Sequence, residues 1–319
     1  MIDVRSSSQF ICQNLEFVKI DTERVNTVAK KIAGNKYAIP KQGEAMPFKG
    51  EDPSESATWC FLVDALNFCF WPAGNREKWQ VKALNGQWKG GYFGLIESLK
   101  KGIKKNRSWL DPDFLRLIKL EDVVQLLDGR GEIQLLEERK TAINELGRGL
   151  KDKNSAIKII EDSNNDAIKF TDAIITTFPS FKDETVFWGR KVGFYKRAQI
   201  LAMDLNLVLS QHGIVPFNNI DELTAFADYK LPQLFRDEEI FIYSHELGNK
   251  IDSLDLLEKD SREEIEIRGA TIFAVELLKE ALSKLGVNLS SPVLDNILWT
   301  EAKARPDMKM HHLTKTIYY

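Results

Sequence analysis

The sequence is poor in the residues that build metal centres and disulfide frameworks: it holds three cysteines, Cys12, Cys60 and Cys69, and four histidines, His212, His245, His311 and His312. An odd cysteine count with no Cys-x-x-Cys pair excludes a disulfide scaffold and a zinc knuckle, and it fits a reducing, cytoplasmic compartment. The histidines form no His-Glu-x-x-His and no two-His-plus-carboxylate spacing, so no protein-bound metal is expected. Glycine and proline, 19 and 10 of 319 residues, are too few for a collagen-like or low-complexity chain. No apolar run approaches the ~18 residues of a membrane helix, and the Met-Ile-Asp-Val-Arg start has no basic and apolar leader; neither insertion nor secretion is expected. Positive charge is not in excess either, with 44 Lys and Arg against 47 Asp and Glu. A net charge of −3 offers no footprint for a long phosphate backbone, so no stable nucleic-acid partner is expected. A phosphate-cradling Gly-x-x-x-x-Gly-Lys-Ser/Thr loop is missing, and Gly90-Gly91-Tyr92-Phe93-Gly94 lacks dinucleotide-fold spacing. ATPase and dehydrogenase chemistry are thereby disfavoured.

What remains is a globular composition, 43% hydrophobic and 29% charged, in a chain long enough to bury a large core. The periodicity is mainly helical. From Glu23 to Ala33, Val25, Val28, Ala29 and Ile32 share one stripe behind Asp21 and Thr22, which are suited to capping. Helical spacing recurs over 135–150, 157–170 and 194–212, the last stopping at Gly213. It recurs again over 262–285, ending at Gly286, and over about 293–304 after Pro292. One segment differs: Trp79, Val81 and Ala83 alternate up to Asn85-Gly86 with Trp88 beyond, which predicts a small β-hairpin with a two-residue turn. No repeat or linker divides the chain, so a single, mainly α domain over 1–319 is expected.

Four blocks carry polar groups in unusual company. In the block from Trp59 to Pro72, Asp64 and Asn67 interrupt an apolar, aromatic run, and a buried carboxylate or amide must be paired. They serve either a core network or a planar ligand held between aromatic faces. In Thr224-Ala225-Phe226-Ala227-Asp228-Tyr229-Lys230-Leu231-Pro232-Gln233, an acid, a phenol and an amine precede a proline suited to a first helical turn. Asp228 then falls in the preceding connection, where it either caps the helix or points into a cleft. Glu264 and Arg268, with Glu266 between them, have the spacing of an intrahelical pair. Asp295 and Trp299 share a helix face, next to Asn296.

These blocks, with Gly90-Gly91-Tyr92-Phe93-Gly94-Leu95, the Val192–Leu205 stretch and the terminal His311-His312-Leu313-Thr314-Lys315-Thr316-Ile317-Tyr318-Tyr319, follow one another in an order that resembles the queuosine salvage protein family. The resemblance covers nearly the whole chain. It implies an all-helical fold similar to the helix-hairpin-helix DNA glycosylases. It also implies hydrolysis of queuosine 5′-phosphate to queuine and ribose 5-phosphate for tRNA modification, with no cofactor. By the same match Asp228 is the catalytic residue, as nucleophile or as stabiliser of an oxocarbenium ion. Phe226 would stack on the base, while Asp295 and Asn296 would address its donor edge or the ammonium of its arm. Tyr229, Asp64, Asn67 and Trp299 complete the expected binding set, with Lys196, Arg197 and Lys230 as cations for the phosphate. Two departures stand out: no histidine precedes His212, and Thr300 rather than an acid follows Trp299. A base-removing enzyme of polymeric nucleic acid and a non-catalytic binder of queuosine are the competing classes.

Overall fold

The computed structural model describes residues 1–37, 50–72, 74 and 76–319. They are mainly helical, with fourteen α-helices and three two-stranded antiparallel sheets among the described residues. The chain divides into two compact units, one of residues 1–45, 183–196 and 221–315, the other of 46–182, 197–220 and 316–319.

The first unit opens with α1 (Val4–Cys12), β1 (Val18–Ile20) and α2 (Thr22–Ala33). The stripe read from the sequence is the buried face of α2, and Asp21 caps it by accepting the N–H groups of Glu23 and Arg24 at 2.9 and 3.0 Å. The second unit follows. Its α3 (Pro53–Leu66) is buried on all sides from Ser56 to Leu66, as a helix apolar all round must be. The expected hairpin is present as β2 (Gln80–Lys82) and β3 (Trp88–Gly90). Its loop has three residues rather than two, because Ala83 N–H reaches Gln87 O and Gly86 takes a φ of 85°. Then come α4 (Gly91–Lys105), α5 (Pro112–Leu115), α6 (Leu120–Leu126) and α7 (Leu136–Asp152). The helix expected over 157–170 is two: α8 (Ala156–Asp162) ends at Ser163, and α9 (Ala167–Thr177) starts behind Asp166. Asn164 and Asn165, at φ of 54° and 59°, turn the chain between them, and Asp166 caps the new start.

The chain returns to the first unit through a hairpin that periodicity did not reveal, β4 (Glu184–Phe187) and β5 (Arg190–Gly193). Both turn residues, Trp188 and Gly189, have positive φ, the geometry that suits two-residue hairpins. Next, α10 (Lys196–Ser210) starts with Lys196 in the first unit and runs on in the second, ending before Gly213. The rest of the first unit is α11 (Lys230–Asp237), β6 (Phe241–Tyr243), α12 (His245–Asp252), α13 (Arg262–Lys284) and α14 (Ser291–Ala304). In the first unit α13 packs against α1, α2 and α14, and β1 pairs with β6. Gly269 lets α13 approach α1: a Cβ there would stand 2.6 Å from Ile11 Cγ2. Among the described residues no helix is long and apolar enough to cross a membrane.

Candidate functional site

The polar centre of the first unit lies where the irregular stretch before α11 meets α14. Asp228 Oδ1 accepts the N–H groups of Lys230 and Leu231 at 2.7 and 3.2 Å. One oxygen therefore does the capping work expected of a carboxylate at a helix start. Asp295, near the start of α14, accepts the Phe226 N–H on Oδ1 at 2.8 Å. That bond ties the stretch carrying Phe226 and Asp228 to α14, and all three side chains are buried.

Lys196, buried at the first position of α10, acts on both acids. Burial raises the Asp228 carboxyl above its usual range, opposed by the charge of Lys196, the two capping N–H groups and Lys230. Burial pushes Asp295 well above that range, and the Asp228 charge pushes it further, against the Phe226 N–H and Lys196. Both carboxyls are thus raised, and the charge of Asp228 is among the causes that raise Asp295.

The surrounding side chains are fixed by contacts of their own. Tyr229 stacks on His311 at 4.2 Å between ring centroids. Sequence reasoning gave His311 no role, since only the terminal motif marked it. Lys230 Nζ donates to Gln233 Oε1 at 2.8 Å, and Gln233 Nε2 donates to the Lys309 carbonyl at 2.7 Å. Asn296 is half-buried on α14. Trp299 packs against the core of this unit and lies under Lys303, 5.7 Å from ring centroid to ammonium.

Asp64, Asn67 and Arg197 belong to the second unit. Asp64 is fully buried on α3, and Asn67, which ends that helix, donates to its Oδ1 at 3.4 Å. Asp64 and Asp204, with burial as the larger cause, push the Cys60 thiol and the Tyr92 phenol well up. Arg197 clamps carbonyls: its guanidinium donates to Ala65 O at 2.8 Å, to Asp64 O and to Ser180 O, over the rings of Phe181 and Phe68. Arg197 thus ties the end of α3 to the Ser180 carbonyl within the second unit. Among the described residues no three His, Cys, Asp or Glu stand together in a way that would hold a metal ion.

A profile described as queuosine salvage protein matches residues 47–319. The chain is 32% identical to a Sphaerobacter thermophilus protein named queuosine 5′-phosphate N-glycosylase/hydrolase, over 100% of this chain and 98% of that one. A Bos taurus protein of the same name is 32% identical over 100% of this chain and 99% of its own. One from Schizosaccharomyces pombe is 28% identical over the full length of both. A match over most of the chain, with relatives alike from end to end, means that this chain belongs to the queuosine salvage protein family.

Proposed function

We propose that this chain hydrolyses the N-glycosidic bond of queuosine 5′-phosphate, releasing queuine and ribose 5-phosphate for queuine salvage into tRNA. The observation that carries the reading is the end-to-end likeness to proteins named for that reaction. The buried Asp228–Asp295 pair beside Lys196 supplies the chemistry it needs.

Cleavage of a glycosidic bond builds positive charge on the sugar, so an anion aimed at the anomeric carbon stabilises the transition state more than the ground state. Asp228 takes that role, as nucleophile or as stabiliser of the oxocarbenium ion; capping holds its carboxylate in place through Oδ1. Lys196 sustains the anion inside a dry site. Phe226 stacks on the deazapurine, and Asp295 addresses its polar edge together with Asn296. Tyr229, backed by His311, forms a wall, and Lys230 and Lys196 are the cations available to the 5′-phosphate. The bond of Arg197 to carbonyls favours a scaffold role for it, and the same holds for Asp64 and Asn67. The resemblance further supports a scaffold related to the helix-hairpin-helix DNA glycosylases, one functional domain over 1–319, a cytoplasmic setting and water as co-substrate.

The test is incubation of purified protein with queuosine 5′-phosphate, with free queuine followed by mass spectrometry. Release of queuine and ribose 5-phosphate by the wild type, lost in Asp228→Ala, is the expected result. Tight binding of the nucleotide with no release would overturn the hydrolase reading in favour of a binding protein.

A further inference from the structure

The whole-chain charge of −3 conceals an uneven distribution: residues 76–107 of the second unit hold nine Lys and Arg against two Asp and Glu. Some of these cations have carboxylate partners, Arg76 with Glu132, Lys100 with Glu97, and Arg107 with Glu51 and Glu55. Lys78, Lys82, Lys89, Lys104 and Lys105 have none among the described residues. Lys104 and Lys105 end α4, where they complement its dipole, but the lysines on and beside the hairpin have no such local task. The hairpin is built as a platform. Lys82 and Trp88 stand directly opposite one another on β2 and β3, as do Gln80 and Gly90, and the two-residue period puts all four on one face. Along the other edge of β2, Gln80 and Arg130 exchange backbone bonds of 2.9 and 3.0 Å. Because Gly90 adds no side chain, the Arg130 guanidinium crosses the row: Nε donates to Gln80 Oε1 at 2.8 Å, and the group lies 4.3 Å from the Trp88 ring centroid. Glu77 stands 3.4 Å from Arg130. Trp88 is thus braced on one side and still 41% exposed, with Leu84 at the turn 67% exposed. Lys101 donates to the Lys82 carbonyl, which brings the end of α4 alongside; Lys105 follows Lys101 by one helical turn.

We propose that this face of the second unit, Trp88 with Lys82, Lys101, Lys104 and Lys105, binds a single strand of nucleic acid, a base stacking on the indole while the ammonium groups meet successive phosphates. Such strands are held by a cationic track set with aromatic rings, because every base has a face to stack and every linkage carries a charge. The Arg130 brace fixes the indole before a base arrives, which lowers the cost of ordering it. A net charge of −3 counts against a stable hold on a long backbone and leaves room for contact with a few phosphates. A lipid surface suits the face less, since Leu84 and Trp88 are the large apolar side chains that the hairpin exposes and lysines stand among them. None of these residues belongs to the catalytic or binding set proposed above, so the inference stands or falls without that reaction.

The experiment is fluorescence anisotropy of the full-length protein with a labelled oligouridylate of about 12 nucleotides, at salt from about 50 to about 200 mM. Wild type is expected to bind with an affinity that falls as salt rises, each phosphate contact contributing about −0.7 to the slope of log Kobs against log salt. The triple variant Lys82→Gln, Lys104→Gln, Lys105→Gln should bind roughly tenfold more weakly, with a slope shallower by about 2. Trp88→Ala should also bind roughly tenfold more weakly but at an unchanged slope, since it removes a stack and no charge. Trp88→Leu, which keeps an apolar side chain and loses the ring, decides the matter should Trp88→Ala fail to fold. An unbound oligonucleotide at the lower salt overturns the inference, as does binding that either the lysine or the Trp88 variants leave unchanged. Displacement of the oligonucleotide by queuosine 5′-phosphate overturns it too, by moving the contact to the nucleotide site. Trp88-dependent capture on vesicles of phosphatidylcholine and phosphatidylserine, by a protein that ignores the oligonucleotide, would make the face a lipid contact instead.

Discussion

The Phe226 N–H donates to Asp295 Oδ1 at 2.8 Å across 69 positions of sequence. This bond sets the spacing between an acid on a helix and an acid in an irregular stretch two residues beyond Phe226. Burial and the Asp228 charge raise the Asp295 carboxyl, while Lys196 and two backbone N–H groups oppose the rise at Asp228. Asp228 gives α11 its N-terminal acceptor through Oδ1, and the proposed function gives the same carboxylate a second task as the anion of the site.

Asp228→Asn separates those two tasks. The amide oxygen still accepts from Lys230 and Leu231, so α11 keeps its cap, while the charge is gone. A carboxylate ~4 Å from a full positive charge at an effective dielectric near 20 contributes about 4 kcal/mol. That energy corresponds to a loss of roughly a thousandfold in kcat. Steady-state assays should show that loss with the thermal midpoint held or raised, because a buried charge has been removed.

The activity of the wild type should fall on the acid side at a pH above the ~3.9 of an ordinary aspartate, since the proposed reaction needs Asp228 ionised and burial raises its carboxyl. A profile of kcat/KM against pH locates this limb. A limb at or below the ordinary value would contradict the desolvated placement of Asp228.

His312 sets a separate, stability-linked dependence. Burial first, then the charges of His311 and Arg268, lower its imidazole to about 3. Its folded value lies below the unfolded ~6.5, so the unfolded chain binds more protons between these limits. Stability from this group is complete above pH ~6.5 and is lost progressively as pH falls towards 3. Urea unfolding of wild type and His312→Asn at several pH values checks it: the variant's curve should be flatter over that window, other acid groups cancelling in the comparison.

Much of this architecture could be read from residues alone. The α2 stripe, the Asp21 cap and the stops at Gly213 and Gly286 rest on local rules, and the chain obeys them. Left-handed asparagines broke the 157–170 expectation, because a side chain that tolerates positive φ can end a helix inside an unbroken apolar period. The β4–β5 hairpin was hidden for a related reason: its turn places Trp188, not Asn, Asp or Gly, at the first positive-φ position. For the site, Asp228 and Asp295 were nameable as residues, but their coupling was not, since it depends on a bond spanning 69 positions. Lys196 was nameable only as a cation; its action on both carboxylates is a tertiary fact.

Gly269→Val tests the packing of the first unit independently of chemistry. The α13 backbone lies against Ile11, and a Cβ at position 269 would sit 2.6 Å from Ile11 Cγ2. Rotation of a side chain cannot relieve this, because the Cγ2, Cβ and Cδ1 atoms of Ile11 all crowd the same point. Overpacking of a filled core costs about 1–3 kcal/mol. Denaturant unfolding should give a lowered midpoint with an unchanged slope.

Arg197→Gln distinguishes a phosphate contact from a scaffold clamp. In the clamp, the guanidinium satisfies carbonyls at the end of α3 and at Ser180, and glutamine, with one NH2 group, cannot reach all of them. Each buried carbonyl left without its donor costs about 1–3 kcal/mol, so the variant should unfold at markedly lower urea concentration. A lost phosphate contact instead raises KM for the 5′-phosphate while leaving the unphosphorylated nucleoside untouched. Measured together, a fallen unfolding midpoint with an unchanged ratio of nucleotide to nucleoside kcat/KM assigns Arg197 to the scaffold; a changed ratio with an unchanged midpoint returns it to the phosphate.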